Sequence, residues 1–193
     1  MKLFVLSFLL LFTSKIFAQQ KEFPLDDRGK YIYYEMVEGQ KVSSDSLLKK
    51  ATSFVDLKYK KTFKSKTVSN AVLKAEGKSI LDKSVLVANR PIGEISYHFQ
   101  FEVKEGKYRF WLTDFLFIPY QRDRYGNYVA STTIGTPLET SPGKLNSGEW
   151  KAIISSAYEK SETIAKDFKE FLAKKTEPVS KKAPPRVVST DKW

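Results

Sequence analysis

The chain has 193 residues, a formal charge of +11 and no cysteine. The lack of cysteine excludes disulfides, thiolate nucleophiles, iron–sulfur clusters and cysteine-ligated zinc, so the core must hold without covalent cross-links. It also argues against a bacterial lipoprotein, which needs a cysteine at its cleavage site. With 41% hydrophobic and 14% aromatic residues, the chain has enough apolar side chains for one packed core.

The N-terminus has the layout of a secretory signal peptide at 1–18. Lys2 provides a positive start, residues 3–12 form an apolar run, and Ala18 offers a cleavage point. A run of about ten residues is half of the roughly twenty that span a bilayer. We therefore expect an exported protein, periplasmic or extracellular, with no transmembrane segment in the mature chain.

The mature chain is predicted to have one domain at 19–173 and a basic tail at 174–193. Loss of Lys2 and Lys15 with the signal lowers the formal charge from +11 to +9. Prolines and interspersed lysines predict a flexible tail. The other lysines are scattered and form no nucleic-acid-binding motif, so we expect no nucleic-acid partner. Attraction to acidic envelope polymers or anionic lipids is another interpretation of the charge.

A strand and a helix are predicted at the start of the domain. Residues 31–37 are rich in the aromatic residues that favour strands. After a glycine-containing break, apolar residues recur at three- and four-residue spacing, which indicates an amphipathic helix. Ser43 or Ser44 can cap this helix, which we expect to run to about Tyr59.

The next part of the chain is predicted to be mostly extended. Residues 60–70 are basic and irregular, with room for a short strand. Residues 71–88 have the pattern of a hairpin that turns at Glu76 and Gly77. The segment 89–91, which contains a proline, is predicted to be the following break.

Residues 93–117 form the clearest predicted hairpin. Glu105 and Gly106 supply its two-residue turn, because glycine readily adopts the positive φ that such turns need. A slip of one residue would bury the polar side chains, so the alternation constrains the register. On the apolar face the predicted pairs are Val103 with Tyr108, Phe101 with Phe110, Phe99 with Leu112, Tyr97 with Asp114, and Ile95 with Leu116.

The opposite face of this hairpin suggests a binding surface. Its first strand is polar, with Glu102 beside Arg109, whereas its second strand presents three aromatic residues. Tyrosines in the following connection can join them. The candidate binding surface consists of Trp111, Phe115, Phe117, Tyr120, Tyr125 and Tyr128.

Two alternatives are open for this surface. The connection 120–148 can fold over the aromatic residues, which we favour, or an outside ligand or partner can cover them. A break in pairing near Asp114 would instead move Phe115 or Phe117 to the other face. The same long connection has room for an extra short strand at 128–133.

A long amphipathic helix is predicted from Glu149 to about Lys174, with Ser147 as its cap. The order of elements is then strand, helix, a run of mostly antiparallel strands, and helix. This order is typical of α+β folds. We expect an antiparallel sheet of about five strands with both helices packed on one face.

Four segments, taken in order, resemble one known family. They are KEFPLDDRGKYIYYEMVE, SSDSLLKKATSFV, EGKSILDKSVLV and HFQFEVKEGKYRFWLTDFLF. They are similar to a family of exported bacterial domains of unknown function described as having a TBP-like fold (domain of unknown function 4468). The resemblance covers roughly residues 23–117 and implies that fold and an envelope setting. It implies no catalytic residues, because the family offers no established activity and fold alone does not define function.

Few residues point to catalysis. His98 is the only histidine, so a multi-histidine metal site is excluded, and a serine–histidine–acid triad would depend on this residue. No phosphate-binding glycine loop or EF-hand spacing is present in the sequence. We expect no cofactor, no metal and no catalytic residues.

The sequence leaves three functional hypotheses open. The one we favour is a non-catalytic exported domain that binds or scaffolds protein or glycan at the cell envelope. The second is a hydrolase of envelope glycan that uses carboxylates drawn from Glu94, Glu102 and Asp114. The third is association with the membrane surface through the tail at 174–193.

Overall fold

A computed structural model describes residues 22–58, 62–85, 88–140 and 147–174. In these parts of the chain, one face of an antiparallel sheet is covered by two helices, as the α+β prediction requires. The predicted signal peptide and the tail beyond residue 174 lie outside the described residues. Within the described ranges, no helix combines the length and the apolar character needed to cross a membrane.

The described residues form seven strands and two helices. In chain order they are β1 (Ile32–Glu38), α1 (Ser44–Ser53), β2 (Phe63–Ser69), β3 (Val72–Val85), β4 (Ala88–Lys104), β5 (Lys107–Arg122), β6 (Tyr128–Ala130), β7 (Thr136–Pro137) and α2 (Ser147–Ala173). A π-helical turn, Phe54–Lys58, continues α1. The strand order is β1–β5–β4–β3–β2, and the short strands β6 and β7 pair with β5. The sheet therefore has more strands than the five predicted.

The two helices meet over the centre of the sheet. Phe168 of α2 is fully buried, and its ring packs edge-on against Phe99, Phe101 and Phe110 at centroid distances of 5.2, 5.5 and 5.0 Å. Phe54, at the end of α1, packs against the same Phe168 ring at 5.0 Å. Edge-to-face packing of aromatic rings is favourable beyond the area it buries. The predicted apolar face of the hairpin is confirmed from its turn as far as the pair Phe99 and Leu112, and so is the placement of both helices on that face.

The start of α1 follows from its cap. Ser43 has an extended backbone conformation, and its side-chain oxygen accepts the backbone N–H of Ser46. Asp45 lies in the first turn, where a negative charge is favourable. The first of the two predicted caps is therefore the one that the structure uses.

Strand β3 shows that the hairpin predicted at 71–88 is wrong. β3 runs without interruption through Gly77, and the turn before it lies at Asn70 and Ala71, which have φ angles of 30° and 70°. Alanine is an unusual residue at positive φ, so the sequence did not indicate a turn there. Gly77 is needed for another reason, because a Cβ at this position would lie 2.5 Å from the ring of Tyr97.

The predicted break at 89–91 is also wrong, because this segment belongs to β4. Leu81 pairs with Gly93, whereas Asp82 pairs with Pro91, so the register shifts between these two pairs. The shift leaves an extra residue in β4 next to the proline. A bulge tolerates proline, which has no N–H to donate to the ladder.

The hairpin of β4 and β5 has the predicted register from its turn as far as the pair His98 and Thr113. Beyond that pair, the partner of Ser96 is Leu116 and the partner of Ile95 is Phe117. The predicted pairs of Tyr97 with Asp114 and Ile95 with Leu116 are therefore wrong. An extra residue in β5 accounts for the change.

Asp114 is this extra residue, with a φ of 55°. Aspartate tolerates the left-handed region better than most residues, which makes it suitable for the bulge. The bulge reverses the two faces of β5. Phe115 is 0% exposed and packs on Phe23 at 4.7 Å, and Phe117 packs on Trp150 of α2 at 5.9 Å. The break in pairing near Asp114, weighed as an alternative above, is what the structure shows.

Candidate functional site

The structure separates the residues predicted to form one aromatic surface. Phe115 and Phe117 lie in the core on the helix side, so their predicted place on the open face is wrong. Trp111 is half-buried on the open face. The three predicted tyrosines lie elsewhere, at the far end of β5 and in the hairpin that β5 forms with β6.

The connection 120–148 does not cover Trp111 with any of its described residues. It instead extends the sheet, because β6 and β7 both pair with β5. Leu138 is buried and is fixed from two sides: its N–H donates to the carbonyl of Phe115 at 3.1 Å, and Trp150 Nε1 donates to its carbonyl at 3.1 Å. The favoured prediction of coverage by this connection is therefore wrong at Trp111 for residues up to 140.

A groove of about 650 Å³ crosses the open face above Trp111. One row of paired residues crosses all five long strands of the sheet and forms its floor. Because directly paired residues of antiparallel strands point to the same face, these side chains stand side by side. In order across the sheet they are Tyr34, Trp111, Gln100, Lys74 and Thr67.

Aromatic rings occupy one end of this row. The rings of Tyr34 and Trp111 are 6.4 Å apart and inclined by 30°. The guanidinium carbon of Arg109 lies 5.3 Å from the centre of the Trp111 ring, in cation–π geometry. Arg109 is itself held by Glu102, whose Oε2 lies 2.6 Å from Nη2, and this bond raises the pKa of the arginine. The alternation of Tyr34 and Met36 in β1 was visible in the sequence, but not the pairing of β1 with β5.

His98 lies in the next row of the groove, between two carboxylates. Its Nδ1 is 3.3 Å from Asp114 Oδ2, and its Nε2 is 3.9 Å from Glu76 Oε1. The imidazole is 60% exposed. Among the described residues, the charged partners of His98 are these two carboxylates and not a serine hydroxyl. No cluster of acidic and histidine side chains in the same residues suits a metal ion.

One rim of the groove is a tight turn that begins at Asp26. Its Oδ1 accepts the backbone N–H of Arg28 and of Lys30, each at 2.9 Å. The pKa of Asp26 is held below its ordinary value, chiefly by the hydrogen bond from the N–H of Lys30 and also by the Arg28 side chain. The Arg28 side chain also reaches Asp114 Oδ2 at 3.3 Å, so this rim is tied to the bulge of β5.

Each of the three carboxylates considered for hydrolysis has a cationic partner. These contacts hold the three side chains in place. The pairs are Glu94 with Lys78 at 3.0 Å, Glu102 with Arg109 at 2.6 Å, and Asp114 with Arg28 at 3.3 Å.

Residues 33–117 match the model of a domain of unknown function (DUF4468) with TBP-like fold. The matched region is similar to this family. It contains nearly all of β1, all of α1 and of β2 to β4, the bulge of β5 and the row of residues on the groove floor. The resemblance noted in the sequence is confirmed over this range.

Two solved structures show a similar fold over most of this chain. One, a TBP-like protein from Parabacteroides distasonis, is 14% identical, with a TM-score of 0.58, and the match covers 77% of this chain and 96% of that one. The other, a DUF4468 family protein from Bacteroides ovatus, is 12% identical, with a TM-score of 0.54, and the match covers 81% and 94%. Both confirm the TBP-like fold. No curated protein matches the chain.

Proposed function

We propose that this protein is an exported, non-catalytic binding protein that holds a neutral glycan on its open sheet face. The observation that carries the proposal is the pair of Tyr34 and Trp111 rings on the floor of an open groove. The proposal narrows the choice between protein and glycan that the sequence left open.

Aromatic rings beside planar polar groups suit a sugar. A pyranose ring has a face of C–H groups, which packs on the electron-rich face of an aromatic ring. Each sugar hydroxyl can both donate and accept a hydrogen bond. Beside Trp111, Gln100 and Arg109 carry donors, and Gln100 and Glu102 carry acceptors. An open groove rather than a closed pocket allows a long chain to pass through.

The charges that line the groove favour a neutral ligand. Four carboxylates face three cations there. They are Asp26, Asp27, Glu76 and Asp114, opposed by Arg28, Lys74 and Arg109. A polyanion such as a nucleic acid would meet like charges along this face, which is unfavourable for affinity and for the encounter rate. A neutral polymer meets no such penalty.

The predicted signal peptide supports the setting of this proposal. An exported protein reaches the compartment where envelope and extracellular polysaccharides occur. Localisation can be tested separately, by fractionating cells that express the full chain and determining the N-terminal residue of the mature protein. We expect a mature N-terminus directly after Ala18.

Calorimetric titration with neutral hexasaccharides of glucose, mannose and xylose tests the binding function. We expect at least one to bind, and Trp111→Ala to weaken binding by about tenfold or more, since aromatic anchors dominate such sites. Leu57→Ala is the control, because Leu57 is 78% exposed on the helix side. The urea midpoint of each variant shows whether it is folded.

Two results would contradict the proposal. One is that none of the hexasaccharides binds to the wild-type protein. The other is equal affinity in the wild type and Trp111→Ala for a hexasaccharide that does bind. An envelope protein that crosslinks to the wild type but not to Trp111→Ala would assign the same face to a protein partner.

A further inference from the structure

The far end of β5 extends beyond its pairing with β4 and forms a hairpin with β6. The pairing of β5 with β4 ends at Pro119, opposite Gly93. Beyond it, Tyr120 to Arg122 pair with β6, from Ala130 back to Tyr128. We call residues 120–130 the arginine hairpin. The charged side chains of its tip do not line the glycan groove described above.

The turn of the arginine hairpin is held without help from outside. Asp123 Oδ1 accepts the backbone N–H of Tyr125 at 2.8 Å and of Asn127 at 2.9 Å. Gly126 has a φ of 81° and donates its N–H to the carbonyl of Asp123 at 3.0 Å. The pKa of Asp123 is lowered, chiefly by the hydrogen bond from the N–H of Asn127. The tip is therefore ordered in advance, and its carboxylate is engaged with the backbone.

Two arginines of the hairpin lie on tyrosine rings instead of beside carboxylates. The guanidinium carbon of Arg122 lies 5.1 Å from the centre of the Tyr128 ring, and its Nη2 donates to the Tyr128 hydroxyl at 3.1 Å. The guanidinium of Arg124 lies 4.8 Å from the Tyr125 ring. Both arginines are exposed, and among the described residues their side-chain contacts are with these tyrosines. Their charges are held in place and remain free for an anion.

Exposed apolar side chains accompany these charges. Tyr125 at the tip is 74% exposed. Val129 on β6 is 38% exposed. At a membrane surface, tyrosine and arginine both suit the boundary between headgroups and acyl chains.

We propose that the arginine hairpin docks on an anionic phospholipid surface. Arg122 and Arg124 contact lipid phosphates, since guanidinium matches phosphate oxygens bidentately. Tyr125 enters the headgroup region. A mature charge of +9 draws the protein towards such a surface from a distance. This role is independent of the glycan groove, and it differs from membrane association through the basic tail, which the sequence suggested.

Cosedimentation of the full mature chain with vesicles tests the proposal. The vesicles contain equal parts of phosphatidylglycerol and phosphatidylcholine, with pure phosphatidylcholine for comparison. We expect binding to the anionic vesicles, and the double variant Arg122→Gln/Arg124→Gln should bind about 25-fold more weakly, or about fivefold per basic residue. The matched control is Lys104→Gln/Lys107→Gln, which removes the same charge at the opposite turn and should change binding by less than about threefold.

A second variant reports how deeply the tip of the arginine hairpin enters the lipid surface. Tyr125→Trp places an indole at the tip, and its fluorescence should shift to shorter wavelength when anionic vesicles are added. Three results would overturn the proposal: equal loss of binding in the arginine and lysine double variants; loss of binding on deletion of residues 175–193 while the arginine double variant binds normally; or binding to dextran sulfate without binding to vesicles. The second result would assign membrane binding to the tail, and the third would assign the hairpin to a soluble polyanion.

Discussion

Replacing Phe115 with alanine tests the bulge that decides which residues reach the core. Phe115 is fully buried, and its ring lies 4.7 Å from Phe23 and 6.1 Å from Tyr97. Removing a buried phenylalanine side chain leaves a cavity, and the expected cost is about 3–5 kcal/mol of unfolding free energy. For a domain of this size, that loss lowers the melting temperature by about 6–20 °C.

Leu116→Ala provides the matched comparison. With the bulge, Leu116 is half-buried on the open face and faces Gly135, so we expect a smaller cost of about 1–2 kcal/mol. Without the bulge, the uniform register would place Leu116 in the core and Phe115 outside. Urea unfolding followed by tryptophan fluorescence measures both variants, provided that the slope of free energy against urea is unchanged. A larger loss for Leu116→Ala than for Phe115→Ala would refute the register described here.

Three further predictions concern a cap, a close contact and a titrating turn. Ser43→Ala removes the cap of α1 and should lower the unfolding free energy by about 1 kcal/mol in urea titrations, whereas Ser43→Asp should retain it. Gly77→Ala forces a methyl group against the Tyr97 ring and should lower the unfolding free energy by about 1–3 kcal/mol. A loss no larger than that caused by an alanine substitution at an exposed glycine would contradict this contact. The pKa of Asp26 is lowered in the folded protein, so its carboxylate stabilises the fold at pH values above the ordinary carboxyl pKa of about 3.9. This stabilisation is lost as the pH falls through the lower pKa of the folded state. The difference in melting temperature between wild type and Asp26→Asn should therefore shrink in acid, and a difference that grows below about pH 4 would contradict the assignment.

Local patterns predicted much of this fold because they coincide with its packing. The turn at Glu105 and Gly106, with strict alternation on both sides, predicts the pairing of β4 with β5 as far as Thr113. The serine cap and the apolar stripe predict the start and the buried side of α1. In both places the residues that determine the structure are neighbours in the chain.

The wrong predictions occur where contacts with another strand, and not neighbouring residues in the sequence, determine the structure. Gly77 looked like a turn residue, but it is small because Tyr97 of the next strand occupies the space of a side chain. Pro91 looked like a break, but a bulge lets β4 continue past it. Asp114 adopts a left-handed conformation that nothing beside it in the sequence demands. The bulge at Asp114 is the reason why the candidate aromatic surface was assembled incorrectly.

The candidate groove could not be predicted as a whole for a related reason. Its row of residues comes from five strands, and the pairing of β1 with β5 joins Tyr34 to Trp111 across most of the domain. Trp111 was identified from its own strand. The contribution of Tyr34 depends on a long-range register that a single sequence does not reveal.

The strand order also determines how the chain must assemble. Strands β2 to β5 form successive hairpins, so each can pair as soon as its neighbour is in place. Strand β1 has to wait for β5, because a helix and three strands separate the two along the chain. Closing so long a loop is entropically costly and slows folding. We therefore expect the first strand of the domain to join the sheet last, when the edge that receives it already exists.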